Sequence, residues 1–163
     1  IEAFDGPIVG LCGGYQLLGE RIIDPGIEST AAAGAVPGLG LLPVETRFSP
    51  AKTVRRVERE LRGVGPLAGA RGPVTGYEIH MGETTTCGEV DRPFEGRGAA
   101  TDRVLGTYLH GLFENEAARA AFRDRLFAGT DVSPPVRRDD PAPADAAATL
   151  LRANADLGPL SLR

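Results

Sequence analysis

A single α/β domain is the fold this sequence predicts, and three observations carry that expectation. Residues 7–19, PIVGLCGGYQLLG, join a short apolar run to a cysteine, two glycines and an amphipathic stretch, the order of strand, sharp turn and helix. Val74–His80 and Val104–Leu109 are strand-like, and each run meets a histidine at its end, His80 and His110. The chain has 163 residues, 42% of them hydrophobic and 25% charged, enough for one domain with its own core.

Taken in order, Ile8–Leu11 reads as a buried strand, and Tyr15–Ile23 follows the turn as a helix. Asp24-Pro25-Gly26 is a turn, and Ser29–Gly38 is a small-residue linker. Leu39–Phe48 reads as a strand that Pro43 places at an edge or a bulge. Thr53–Leu61 fits a charged strand or a short helix, with strand preferred, and Arg62–Pro73 is loop. Within the strand Val74–His80, Gly76 signals a bulge or a close backbone approach. Residues 83–101 read as polar loop, and Val104–Leu109 as a strand that delivers His110. Asn115 can cap a helix over Glu116–Phe127, with Phe122, Leu126 and Phe127 on its apolar side and Gly129 as its stop. Ser133–Pro143 is a charged linker and Asp145–Asp156 an Ala-rich helix, so the domain is expected over 1–130 and a linker with a terminal helix over 131–163.

Composition excludes several functions. No run is long enough to cross a bilayer, and no basic segment precedes an apolar one at the N-terminus. A net charge of -4 argues against a nucleic-acid surface. Two Cys without a CxxC spacing and two His give no structural zinc pattern, and a reduced cytoplasmic thiol is the simpler reading. There is neither a Gly-x4-Gly-Lys-Ser/Thr phosphate loop nor a GxGxxG after a strand, so no nucleotide site is expected in this chain.

Gly10-x-Cys12-x-Gly14 has the form of a nucleophile elbow with Cys in place of Ser. Flanking residues without Cβ relieve crowding at such a turn, and the helix start aims N–H groups at the sulfur or at an oxyanion beside it. A cysteine ending an apolar strand is otherwise a small buried hydrophobe. A thiol nucleophile needs a base, and His110 lies where a second strand ends, the rim on which open parallel sheets collect functional groups. His80 falls on the same rim by the same logic. Glu78, on the same strand as His80 in Tyr77-Glu-Ile-His, reads as a solvated or ion-paired carboxylate, Cys87 as incidental, and Arg55 and Arg56 as a solvated face. The start at Ile1, with an elbow strand already at residue 8, suggests a chain that begins partway through a larger protein.

Four motifs then share one resemblance: Cys12-Gly-Gly-Tyr-Gln-Leu-Leu-Gly19, Gly38-Leu-Gly-Leu-Leu-Pro-Val44, Gly76-Tyr-Glu-Ile-His-Met-Gly82 and Gly106-Thr-Tyr-Leu-His-Gly-Leu-Phe113. In that order, over roughly residues 6–128, they resemble the class I-type glutamine amidotransferase domains of cobyric acid and cobyrinic acid a,c-diamide synthases, the former most closely. The resemblance implies a three-layer, flavodoxin-like α/β fold with a mostly parallel central sheet, truncated here at its N-terminal side. It implies Cys12 as nucleophile, His110 as catalytic histidine, and Gly13, Gln16, Tyr77, Glu78 and His80 as glutamine-site or oxyanion residues, with no metal. It further implies glutamine as ammonia source and a corrinoid amidated at its b, d, e and g carboxylates. ATP and Mg²⁺ would sit on a synthetase domain preceding this chain. The His-x-Glu of many relatives is absent, because Leu112 stands two residues past His110; Glu78 or Glu114 is then the candidate to orient the imidazole, unless the pair works as a dyad. The competing expectations are the glutaminase of a lipid II amidating complex and a catalytically silent docking module.

Overall fold

The computed structural model describes residues 4–28, 34–134, 145, 148–150 and 153. It divides into a unit over Ile1–Ser133 and a second over Pro134–Arg163. In the second, residues 145, 148–150 and 153 are helical, and the Thr149 hydroxyl donates to the Asp145 carbonyl at 2.8 Å. The remainder of the expected terminal helix lies outside the described residues.

In the first unit, β1 (Ile8–Leu11) pairs in parallel with β7 (Val104–Thr107), Leu11 opposite Thr107. The short β6 (Ala99–Ala100) adds to the far edge of β7 in the antiparallel sense. A second sheet has the order β3-β2-β4-β5-β8. Its strands are β2 (Arg21–Asp24), β3 (Gly34–Pro37), β4 (Val44–Leu61), β5 (Gly72–Thr86) and β8 (Leu109–His110). Among the described residues, parallel pairing occurs between β1 and β7 and between β2 and β4, and the other pairings are antiparallel. The α/β class stands; the sheets within these residues are mixed rather than mostly parallel, because the long β4–β5 hairpin dominates one of them.

Alternation along β7 sends side chains to two cores. Leu105 joins Leu61, Leu67, Val74, Phe94 and Leu109 under α2 (Glu116–Phe127). Val104 joins Tyr15, Leu18, Leu42, Val44 and Ala99 under α1 (Gly13–Leu18). The sheet bearing β1 and β7 is thus covered on both faces, the layering the sequence implied.

Several boundaries differ from the sequence reading. The helix after the elbow stops at Leu18, and Arg21–Asp24 is strand β2. The reason is long-range: the N–H groups of Leu39, Gly40, Leu41 and Leu42 donate to the carbonyls of Leu17, Gly19 and Leu18, satisfying the end of α1. A Cβ on Gly38 would lie 2.1 Å from the Gly19 oxygen, so only glycine permits this clasp. Residues 39–43 are therefore a cap rather than the start of a strand, and Gly34–Pro37, expected as linker, is the edge strand β3. Within the linker, residues 29–33 lie outside the described residues. The strand expected over Val104–Leu109 breaks at Tyr108, after which Leu109 and His110 cross to pair with Glu78 and Tyr77 of β5. The Leu109 N–H donates to Thr107 Oγ1 at 3.1 Å where the strand leaves β7 for β5. Residues 83–86 continue β5 and 99–100 form β6, so the expected loop is shorter at both ends.

Helix α2 has the expected bounds, and Ala118, Ala121 and Phe122 face the core, whereas Leu126 is 43% exposed. Asn115 does not cap it through its side chain. Its amide instead accepts from the Thr75 N–H at 2.9 Å and donates to the Thr75 carbonyl at 2.9 Å and the Gly111 carbonyl at 3.0 Å, tying the turn after His110 to β5.

Candidate active site

Cys12 has φ 52° and ψ -113°, and among the described residues no other non-glycine residue has positive φ. Such a conformation costs about 1–3 kcal/mol and persists where the surroundings over-determine it. Here the Cys12 N–H donates to the Thr107 carbonyl at 2.9 Å, and its carbonyl accepts from the Gln16 N–H at 3.2 Å. Crowding fixes one neighbour: a Cβ on Gly10 would lie 2.4 Å from Leu18 Cδ1 and 2.7 Å from the Gly14 carbonyl. Gly13 and Gly14 differ from the sequence argument, since a Cβ on either would meet nothing within 4 Å. Their absent side chains leave open space beside the cysteine. The half-buried thiol donates to the Ile79 carbonyl at 3.3 Å, and Cys12 and Cys87 are both free, Cys87 exposed.

His110 lies three residues past Thr107, the residue bonded to the Cys12 N–H, and it pairs with Tyr77 two residues from Ile79. Strands β1, β7 and β5 therefore bring Cys12 and His110 to one rim. The approach of β5 is close: a Cβ on Gly76 would lie 2.1 Å from the His110 oxygen, the close backbone contact its sequence position signalled. Nε2 of His110 is buried without a hydrogen-bond partner. Such a nitrogen costs about 1–3 kcal/mol against a paired one.

The other candidates separate into three groups. Gln16 is 8% exposed, and its Nε2 donates to the Tyr108 hydroxyl at 3.3 Å. That hydroxyl lies 2.6 Å from Thr84 Oγ1, which lies 2.7 Å from Thr46 Oγ1, a chain of hydroxyls behind Gln16. His80 donates through Nδ1 to the Gly82 carbonyl at 2.9 Å and stacks on Tyr108 with centroids 4.1 Å apart. Tyr77 is 48% exposed on the outer face of β5, where only its backbone meets His110.

Glu78 is 4% exposed and ion-paired, the second of its two expected roles, and is therefore not free to orient a histidine. Arg55 donates to Oε2 from Nε at 2.8 Å and Nη2 at 2.6 Å, and Arg59 to Oε1 at 3.1 Å and 2.8 Å. Burial alone pushes the Glu78 carboxyl up, but hydrogen bonds from Arg59 and Arg55 and their charges outweigh it and hold the group below the ordinary value. Glu114 is exposed, its carboxyl carbon near the position of a Gly111 Cβ, and neither acid has a hydrogen bond to His110. The sequence reading assigned Arg55 to solvent and passed over Arg59, Tyr108 and Thr84. The available signal was period two: Arg55, Val57, Arg59 and Leu61 share one face of β4, and Val57 and Leu61 belong to the core.

The sequence profile of the CobB/CobQ-like glutamine amidotransferase domain matches residues 2–118. A protein of Halobacterium salinarum named "Probable cobyric acid synthase" is 58% identical over 165 residues, 99% of this chain and 32% of that protein. One of Methanoculleus marisnigri with the same name is 52% identical over 118 residues, 71% of this chain and 24% of its own length. The "Cobyric acid synthase" of Roseiflexus castenholzii is 45% identical over 141 residues, covering 77% of this chain and 28% of that protein. The chain thus spans about a third or less of the length of these relatives. No helix among the described residues is long and apolar enough to cross a membrane.

Proposed function

The chain belongs to the CobB/CobQ-like glutamine amidotransferase family, and from that membership we propose that it is the glutamine-hydrolysing part of a cobyric acid synthase. It would supply ammonia for ATP-dependent amidation of the b, d, e and g carboxylates of a cobyrinic acid a,c-diamide. The observation that carries the reading is the pairing of a strained cysteine at the end of β1 with a histidine nitrogen left unpartnered at the same rim.

The chemistry follows from those two groups. The Cys12 thiolate attacks the side-chain amide carbon of glutamine, and the new oxyanion is held by N–H donors that include Gly13, in the first turn of α1, where helical N–H groups have no intrahelical partner. His110 gives a proton to the departing nitrogen, the C–N bond breaks, and ammonia leaves a glutamyl thioester. Water then attacks the thioester while His110 takes a proton from it, releasing glutamate and the thiol. Gln16, held by the Tyr108–Thr84–Thr46 chain, and the His80 segment would line the glutamine pocket.

Forming the new amide needs an activated carboxylate, chemistry that ATP and Mg²⁺ supply. The sequence contains no phosphate loop, so that step is assigned to the relatives' length beyond this match. The lipid II and docking-module alternatives gain nothing from relatives named as cobyric acid synthases.

The test is Cys12→Ala in the intact protein. Glutamine-dependent amidation is expected to vanish while amidation from ammonium salts continues. Loss of both would make Cys12 a structural residue.

A further inference from the structure

Beside the rim, a cavity of about 500 Å³ is lined by Tyr15, His80, Thr84, Arg92, Arg97 and Tyr108 among others, and by neither Cys12 nor His110. Two of its walls have hydrogen-bonding capacity that the fold does not use. The Tyr15 ring is packed in the core and meets Tyr108 edge-on at 5.2 Å, while its hydroxyl opens onto the cavity and makes no hydrogen bond to a described residue. A phenol hydroxyl that faces a cavity with no protein partner is free to donate to a ligand there. Burial first, and the neighbouring Tyr108 second, raise its pKa against a smaller lowering by Arg92, so the group remains an O–H donor at neutral pH. Arg92 donates from Nη1 to the Gly98 carbonyl at 2.8 Å and reaches Thr86 Oγ1 from Nη2 only at 3.4 Å. A guanidinium carries five N–H donors, so most of this fork is unspent. Glu83, exposed, is the one carboxylate on the lining, against two arginines.

We propose that this cavity is a carboxylate-binding site, the ligand held between the Tyr15 hydroxyl and the Arg92 guanidinium. A planar guanidinium fork and a phenol on the wall of one cavity supply donors for both oxygens of a carboxylate, a ligand for which the fork of Arg suits better than the point charge of Lys. The site rests on the glutaminase reading only for the source of that carboxylate. It is either the α-carboxylate of the glutamine or glutamate that occupies the neighbouring rim, or a carboxylate of the acceptor to be amidated.

Calorimetric titration of L-glutamate into the intact protein, with steady-state kinetics in glutamine and in the carboxylate acceptor, separates the sources. For an α-carboxylate, Arg92→Gln weakens glutamate binding about tenfold or more and raises the KM for glutamine by the same factor, and Tyr15→Phe has about a fivefold effect. For an acceptor carboxylate, both variants leave glutamate binding alone and raise the KM of the acceptor. Because the Tyr15 hydroxyl has no protein partner to lose, Tyr15→Phe is expected to unfold no earlier than the natural protein, so its effect is the ligand's. Unchanged glutamate affinity together with unchanged KM for both substrates would overturn the proposal. A natural protein that hydrolyses no glutamine would instead refute the reading of the Cys12 site, and the glutamate and acceptor titrations would still decide the cavity.

Discussion

Glu78 and His110 occupy adjacent strands, one paired with Leu109 and the other with Tyr77, and the fold treats their polar atoms in opposite ways. Both Glu78 oxygens are closed off by four hydrogen bonds from two guanidinium groups. The His110 Nε2, buried on the neighbouring strand, has none. A buried polar group whose bonds are all made is a structural fastener, because breaking it leaves charge without compensation. One left open is a cost to stability that persists where chemistry uses it. The Tyr15 hydroxyl differs from both, because it opens onto a cavity in which a ligand can meet it without that cost.

If the contrast holds, the two positions respond oppositely to substitution. The largest expected effect is at His110. Replacement by Asn should lower kcat for glutamine hydrolysis about a thousandfold, the scale of a lost general acid–base group. Its unfolding free energy in denaturant should stay within about 1 kcal/mol of the natural protein. A variant that is both inactive and markedly unstable would erase the distinction.

Glu78→Gln should do the reverse. Arg59 is largely buried and Arg55 half-exposed, so Arg55 can turn to water, and the expected loss is about 2–3 kcal/mol of unfolding free energy, below that for a fully buried pair. Glutaminase activity per folded molecule should change far less than in the His110 variant. A smaller effect sharpens the point through pH. The Glu78 carboxyl is held below its ordinary value of 4.5, so its contribution is complete above that pH and declines as pH falls below it. The stability difference between the natural protein and Glu78→Gln should therefore be flat at neutral pH and narrow on acidification under 4.5. A gap that widened in acid would mean that the arginines do not stabilise the carboxylate.

How much of this was legible beforehand follows the range of the interactions. The elbow is local: strand, cysteine, glycines and helix lie within residues 7–19, and Gly10 is required there by contacts with Gly14 and Leu18 of the same motif. The bounds of helix α2 were equally legible from Asn115 before it and Gly129 after it, although the Asn115 side chain turns to β5 instead of capping the helix. Boundaries set at a distance were not. The helix α1 ends early because residues 39–42 cap it, and the strand carrying His110 breaks because β5 takes its last two residues. The pairing of Glu78 with Arg55 and Arg59 needed the β4–β5 register, which follows from a hairpin whose loop has no turn signature tight enough to fix it. Open space beside Gly13 and Gly14 was likewise invisible, since a sequence gives the missing Cβ but not what stands opposite it.

The central claim is that Cys12 is the nucleophile of a glutamine-hydrolysing site. Exposed Cys87 supplies an internal control for the most direct measurement, mass analysis of the intact protein after treatment with 6-diazo-5-oxo-L-norleucine, a glutamine mimic that alkylates an activated thiol. The expected result is a single adduct, mapped to Cys12, slowed by excess glutamine and by His110→Asn. An unmodified Cys12, or labelling that favours Cys87, would contradict the account.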